Sequence, residues 1–132
     1  LGLNAYRFSI SWARIIRENG EVNIKGVAFY RRLIELCRQY QIEPIVCLYH
    51  DDLPAYLEEQ GGWGNRRILA KFVRYASVLF DCFGEEVRYW QTISEQHLLT
   101  QKNISRGEES LKAIYQANHH LFLDQALVVQ EY

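Results

Sequence analysis

Polar residues gather at three places in the chain, each directly after an apolar run: Ser11, Trp12 and Arg14; His50, Asp51 and Asp52; and Ser94, Glu95, Gln96 and His97. In parallel α/β folds reactive groups collect where strands end, because the loops there converge on one mouth. His50, Asp51 and Asp52 can be read as metal ligands, but Asp52 with Pro54 also reads as the start of a helix, and no metal is expected. His50 alone is a candidate ligand contact. Glu95 is one of 16 acidic residues, and by position alone a solvated loop glutamate is as good a reading as a functional one. His119 and His120 fall inside a helical stretch and are expected to pack or face solvent. Asn103 to Ser105 forms a glycosylation sequon, which matters only in a secreted protein. The sequence contains no glycine-rich phosphate loop.

The elements that must position these clusters follow from hydrophobic period. Strands are expected near 4–11, where strand formers alternate with polar residues, near 43–49 as a short apolar run opened by Pro44, and near 87–93. Helices are expected near 25–40, 65–83 and 108–131. The first carries Val27, Phe29, Tyr30, Leu33, Ile34, Leu36 and Cys37 at helical spacing. In the second, capped by Asn65 and stopped by Gly84, the apolar face includes Ile68, Leu69, Phe72, Val73, Ala76, Leu79 and Phe80. In the third, Leu111, Ile114, Tyr115, Ala117, Leu121, Phe122, Ala126 and Val129 are the expected packing positions. Successive strands lie too far apart for hairpins, so they pair in parallel through right-handed crossovers. The class is α/β, with three consecutive βα units in a single partial-barrel domain. A closed eight-unit barrel needs about 250 residues, so three units leave apolar strand edges open. The chain already reads as a strand near Leu1, and a preceding portion is expected.

The 132 residues are 48% hydrophobic and 14% aromatic, enough for a core. A formal charge of −1, from 15 basic and 16 acidic residues spread along the chain, gives no reason to expect a nucleic acid or an anionic membrane as partner. No apolar run approaches the roughly 18 residues of a membrane span. Cys37, Cys47 and Cys82 are widely spaced among apolar neighbours and read as reduced thiols, which favours a cytoplasmic home.

The segments AYRFSISWARI, GEVN, FYRRLI, IEPIVCLYHDDLP, GGWGNRR, FVRYA, RYWQTISEQ, YQANHH and QALVV stand in the order found in family-one glycoside hydrolases. The chain resembles that family along its whole length. The resemblance implies a (β/α)8 TIM barrel and a retaining β-glycosidase, in which two carboxylates about 5 Å apart flank the scissile bond. Glu95 aligns with the acid/base, which needs a carboxyl whose pKa is raised toward neutrality. His50 matches the histidine that hydrogen-bonds a sugar hydroxyl. Arg7 matches the arginine that keeps the nucleophilic carboxylate ionised. Trp12 is expected to pack between strand and helix rather than to support the sugar.

Departures from the family pattern accompany these matches. Ser94 stands where most members have asparagine, so its substrate contact to the sugar 2-hydroxyl is shortened, at a cost in turnover. Asp51 replaces an aromatic, Gln96 replaces proline, and the loop from Leu98 to Glu109 is short. The nucleophile strand is absent, so the chain is expected to be inactive alone. The implied substrate is a β-glucoside or a 6-phospho-β-glucoside, the wording WQTISEQ and YQANHH favouring the phosphorylated branch, and no cofactor is called for. The alternative is a dead half-barrel that serves as a binding or assembly module, self-associating through its exposed strand edges.

Overall fold

The structure is a computed structural model and describes residues 2–98 and 110–132. Strands β1 (Ala5–Ser9), β2 (Glu43–Tyr49) and β3 (Tyr89–Ile93) form one parallel sheet in that order. Arg7 lies opposite Ile45, and Ile45 opposite Tyr89. Helices α1 (Trp12–Ile15) and α2 (Ile24–Gln39) connect β1 to β2. Helix α3 (Ala55–Glu59), a 3-10 turn (Gly62–Gly64) and α4 (Ile68–Phe83) connect β2 to β3, and α5 (Leu111–Glu131) follows. The three parallel βα units read from the sequence are all present.

The ends differ from expectation for local reasons. Strands β1 and β3 are shorter than 4–11 and 87–93, being limited to the residues that pair with β2. Asn65 does not cap α4. Its Oδ1 accepts from the Arg67 N–H and its Nδ2 donates to the Gln60 carbonyl, so it braces a turn and the helix starts at Ile68. Helix α5 opens at Leu111, where the Ser110 hydroxyl caps it by accepting from the Ala113 N–H; the expected start at Glu108 lies outside the described residues. The sequon at Asn103 to Ser105 and most of the Leu98 to Glu109 loop lie outside the described residues.

Alternation along the strands sends neighbouring side chains to opposite faces. One face carries Val46 and Leu48 into the core, where they meet Ile10, Trp12, Tyr30, Ile34, Phe72, Tyr75, Leu79 and Phe83, all buried. The Trp12 ring stacks on Tyr75 at 5.0 Å between centroids, so Trp12 packs between strand and helices. The buried Tyr75 hydroxyl lies 3.0 Å from the Ile10 carbonyl and 2.9 Å from that of Leu48, joining α4 to the ends of two adjacent strand segments. Where α2 crosses α1, a Cβ on Gly26 would sit 1.8 Å from the Arg14 carbonyl oxygen, so glycine is required. The opposite sheet face bears Ala5, Arg7, Ser9 and Tyr89, all exposed. No described helix covers it, although parallel sheets normally bury both faces.

Helix α5 departs most from the expected packing. It buries Ile114, Ala117, His120, Leu121, Asp124 and Val128, while Leu111, Tyr115, Phe122 and Val129 are each at least 60% exposed. Only the stripe facing α4, β3 and the 3-10 turn finds partners among the described elements. His120 is held by that packing, its Nδ1–H donating to the Trp63 carbonyl at 2.7 Å, and His119 is exposed.

Asp124 is fully buried, and neither carboxylate oxygen has a hydrogen-bond partner among the described residues. Burial alone pushes its carboxyl up to about 7. An unfolded chain releases this proton at lower pH than the folded one, so the unfolded state binds fewer protons and stability falls as pH rises from the ordinary aspartate range to about 7. Denaturant midpoints of the wild type should fall across this window, and Asp124→Asn should flatten that slope.

Candidate active site

The carboxyl ends of β2 and β3 bring His50, Ser94 and Glu95 to one rim, and Arg7, from the middle of β1, reaches the same rim with its side chain. Ser94 is anchored by its own backbone, its N–H donating to the Tyr49 carbonyl at 2.9 Å, which continues the β2–β3 ladder past the strand end. Its buried hydroxyl accepts from Arg7 Nη1 at 2.9 Å, and the same Nη1 donates to Gln91 Oε1 at 2.7 Å. Arg7 thus reaches from β1 across β2 to β3 on the uncovered face. Its cationic head lies beside the site, and among the described residues its hydrogen-bond partners are Gln91 and Ser94, not a carboxylate.

His50, directly after β2, holds Glu95, directly after Ser94. Its Nε2–H donates to Glu95 Oε2 at 2.8 Å. Glu95 takes a left-handed backbone, φ 51°, which is unusual for a residue with a side chain. The Leu98 N–H donates back to the Glu95 carbonyl and closes the turn. The hydrogen bond from His50 is the main reason that the Glu95 carboxyl sits below the usual glutamate range. An acid catalyst needs the opposite shift, which burial or a second carboxylate provides. Here Glu95 is half exposed and faces an imidazole, so this geometry holds it as a carboxylate, ready to accept a proton.

Gln96, which the sequence places in the third polar cluster and marks as a departure from the family's proline, is bound on both sides. Its Nε2–H donates to Asn118 Oδ1 and its Oε1 accepts from Gln125 Nε2, each at 2.6 Å. Asn118 falls in the segment YQANHH and Gln125 opens QALVV, but neither residue stands out in the sequence as a site residue; they lie seven positions apart on α5 and so share a face. Asp51 and Asp52 are exposed beyond β2, and Asp52 lies in the loop before α3. Cys47 shares the sheet face of Arg7, but burial pushes its thiol up, so it stays protonated. A surface cavity of about 650 Å³ lies at the opposite end of the sheet, lined by Asn4, Glu43, Arg88 and Tyr132 among others, and contains none of the rim residues.

Known proteins share this chain's sequence and fold. The family model for glycosyl hydrolase family 1 matches residues 1–132. The chain is 40% identical over 139 aligned residues to an aryl-phospho-β-D-glucosidase of Bacillus subtilis, covering 100% of this chain and 29% of that protein. It is 38% identical to a coniferin β-glucosidase of Pinus contorta, over all of this chain and 30% of that one. The family 1 β-glucosidase of Thermotoga maritima superposes with a TM-score of 0.93 at 39% identity, over 98% of this chain and 31% of that structure. The chain therefore spans about 30% of the length of these relatives.

Replacing His50 by phenylalanine removes the donor while keeping a ring. The Glu95 titration midpoint, followed by 13C NMR of its carboxyl carbon, should then move up toward that of an ordinary glutamate. An unchanged midpoint would show that His50 does not set it.

Proposed function

The chain belongs to glycosyl hydrolase family 1, and from that premise we propose that residues 1–132 supply the acid/base side of a retaining β-glycosidase site. The observation that carries the proposal is the meeting of His50, Ser94 and Glu95 at the ends of two adjacent parallel strands with the side chain of Arg7, which reaches them from the third. Glu95 protonates the departing oxygen and then takes a proton from water, while a second carboxylate about 5 Å away attacks the anomeric carbon. That nucleophile comes from outside these residues, and Arg7 is placed to pair with it. The uncovered sheet face supports this reading, since three βα units leave open what eight would enclose.

The pairing of His50 with Glu95 is the resting state of this site. A sugar hydroxyl that takes His50 removes the bond that depresses the Glu95 pKa, and the sugar and the nucleophile add burial and negative charge. All three changes raise the pKa toward that of an acid catalyst. Ser94 offers only a short hydroxyl that is already engaged by Arg7, so contact with the 2-hydroxyl is weaker and turnover lower than with a longer amide.

The proposed substrate is a β-glucoside, with the 6-phosphate as the narrower form suggested by the likeness to the Bacillus subtilis enzyme. A cytoplasmic location fits the three free cysteines. On this reading the 132 residues do not turn over substrate by themselves. A second reading, an inactive half-barrel that pairs its open edges with another copy, draws on the same uncovered face and on Ser94. The joint presence of Arg7, His50 and Glu95 at one rim counts against it.

A chimaera carrying residues 1–132 in place of the matching third of the Thermotoga maritima enzyme tests the assignment. It should hydrolyse an aryl β-glucoside with an unactivated leaving group, and Glu95→Gln should lower kcat/KM by about 10²–10⁴-fold. Undiminished turnover in the folded Glu95→Gln chimaera would remove Glu95 from the acid/base role.

A further inference from the structure

The carboxylate of Glu95 is bonded at its tip, but the backbone beneath it is strained, and something other than His50 must hold it. A non-glycine residue in the left-handed region is strained and persists only where surrounding structure over-determines it. The next residue supplies that structure. Thr92 Oγ1–H donates to Gln125 Oε1 at 3.3 Å, Gln125 Nε2–H donates to Gln96 Oε1, and Gln96 Nε2–H donates to Asn118 Oδ1. These three bonds run head to tail from β3 to α5, back to the rim and again to α5, a directional chain in which each bond polarises the next. Both amide ends of Gln96 are engaged, so its side chain cannot turn without breaking two bonds.

The far anchors are rigid. Asn118 and Gln125 sit on a 21-residue helix whose Ile114, Leu121 and Val128 are buried and whose His120 is bonded to the Trp63 carbonyl. The helix therefore fixes the position of Gln96 from outside the loop that contains Glu95.

We propose that Gln96 is a positioning residue for Glu95: its side-chain amide, clamped between Asn118 and Gln125, holds the left-handed backbone at Glu95 and so aims the carboxylate at His50 and the site. The clamp acts through the backbone and touches no substrate. Its importance for catalysis rests on the role proposed for Glu95, but its geometry does not, and the two can fail separately.

The test uses the chain itself and needs no turnover. Gln96→Met keeps the length of the side chain and removes both bonds. Asn118→Leu removes one acceptor from the helix and leaves the loop untouched, so it tests the clamp even if the first variant does not fold. In each folded variant the intraresidue HN–Hα NOE of Glu95, strong at positive φ, should weaken, and the Glu95 titration midpoint should move up as the bond to His50 loosens. The double variant should shift the midpoint no further than Gln96→Met alone, because the two changes break one unit. A general loss of stability would move neither signal in a protein that remains folded. Unchanged NOE and midpoint in folded Asn118→Leu and Gln96→Met would overturn the proposal. A shifted midpoint together with an inactive chimaera would leave the clamp standing and remove only its catalytic purpose.

Discussion

Parallel pairing is the constraint on which everything else in this chain depends. Two adjacent parallel strands cannot be joined by a tight turn, so each must be followed by a crossover that returns the chain to the starting edge. Every strand then runs the same way, and every carboxyl end arrives at the same side. His50 and Glu95 are 45 positions apart, yet they meet at 2.8 Å because β2 and β3 are in register and both end at Tyr49 and Ile93. Arg7, a further strand away, reaches Ser94 for the same reason. A hairpin anywhere in the sheet would send one of these residues to the opposite end.

The helices hold this arrangement from one side only. Tyr75 ties α4 to the carbonyls of Ile10 and Leu48, and Trp12 stacks on the same ring, so the core lies directly behind the rim. On the other face Arg7 and Gln91 bond each other in the open. Eight strands closed into a barrel would turn that face into a filled interior. The exposed stripe of Leu111, Tyr115, Phe122 and Val129 on α5 fits the same interpretation, being apolar surface prepared for a neighbour that the described residues do not include.

Much of this was legible in the sequence, and the parts that were not have physical reasons. Apolar runs such as EPIVCLY and the 3.6-residue period of α4 depend on burial within a single element, so strands and long helices could be placed from local pattern. Short pieces such as α1 and the 3-10 turn at Gly62–Gly64 have no room for a period. Most of the expected α5 packing positions are exposed, because the helix's apolar residues extend round more than one side and sequence does not say which side finds a partner. The pairing of Glu95 with His50 and the clamp on Gln96 were invisible, because each joins residues from separate elements and depends on side-chain direction at the strand ends. The lowered pKa of Glu95 belongs with these: it comes mainly from a contact that only the fold creates.

The central claim is that His50 and Glu95 form a resting pair which a sugar separates. A crystal structure of the chimaera with deoxynojirimycin, an inhibitor seen bound to the Thermotoga maritima enzyme, tests it most directly. The account predicts that His50 Nε2 leaves Glu95 Oε2, from 2.8 Å in the free site to beyond hydrogen-bond distance, and donates to a ligand hydroxyl instead. An inhibitor bound with the His50–Glu95 bond intact and no contact from His50 would contradict it.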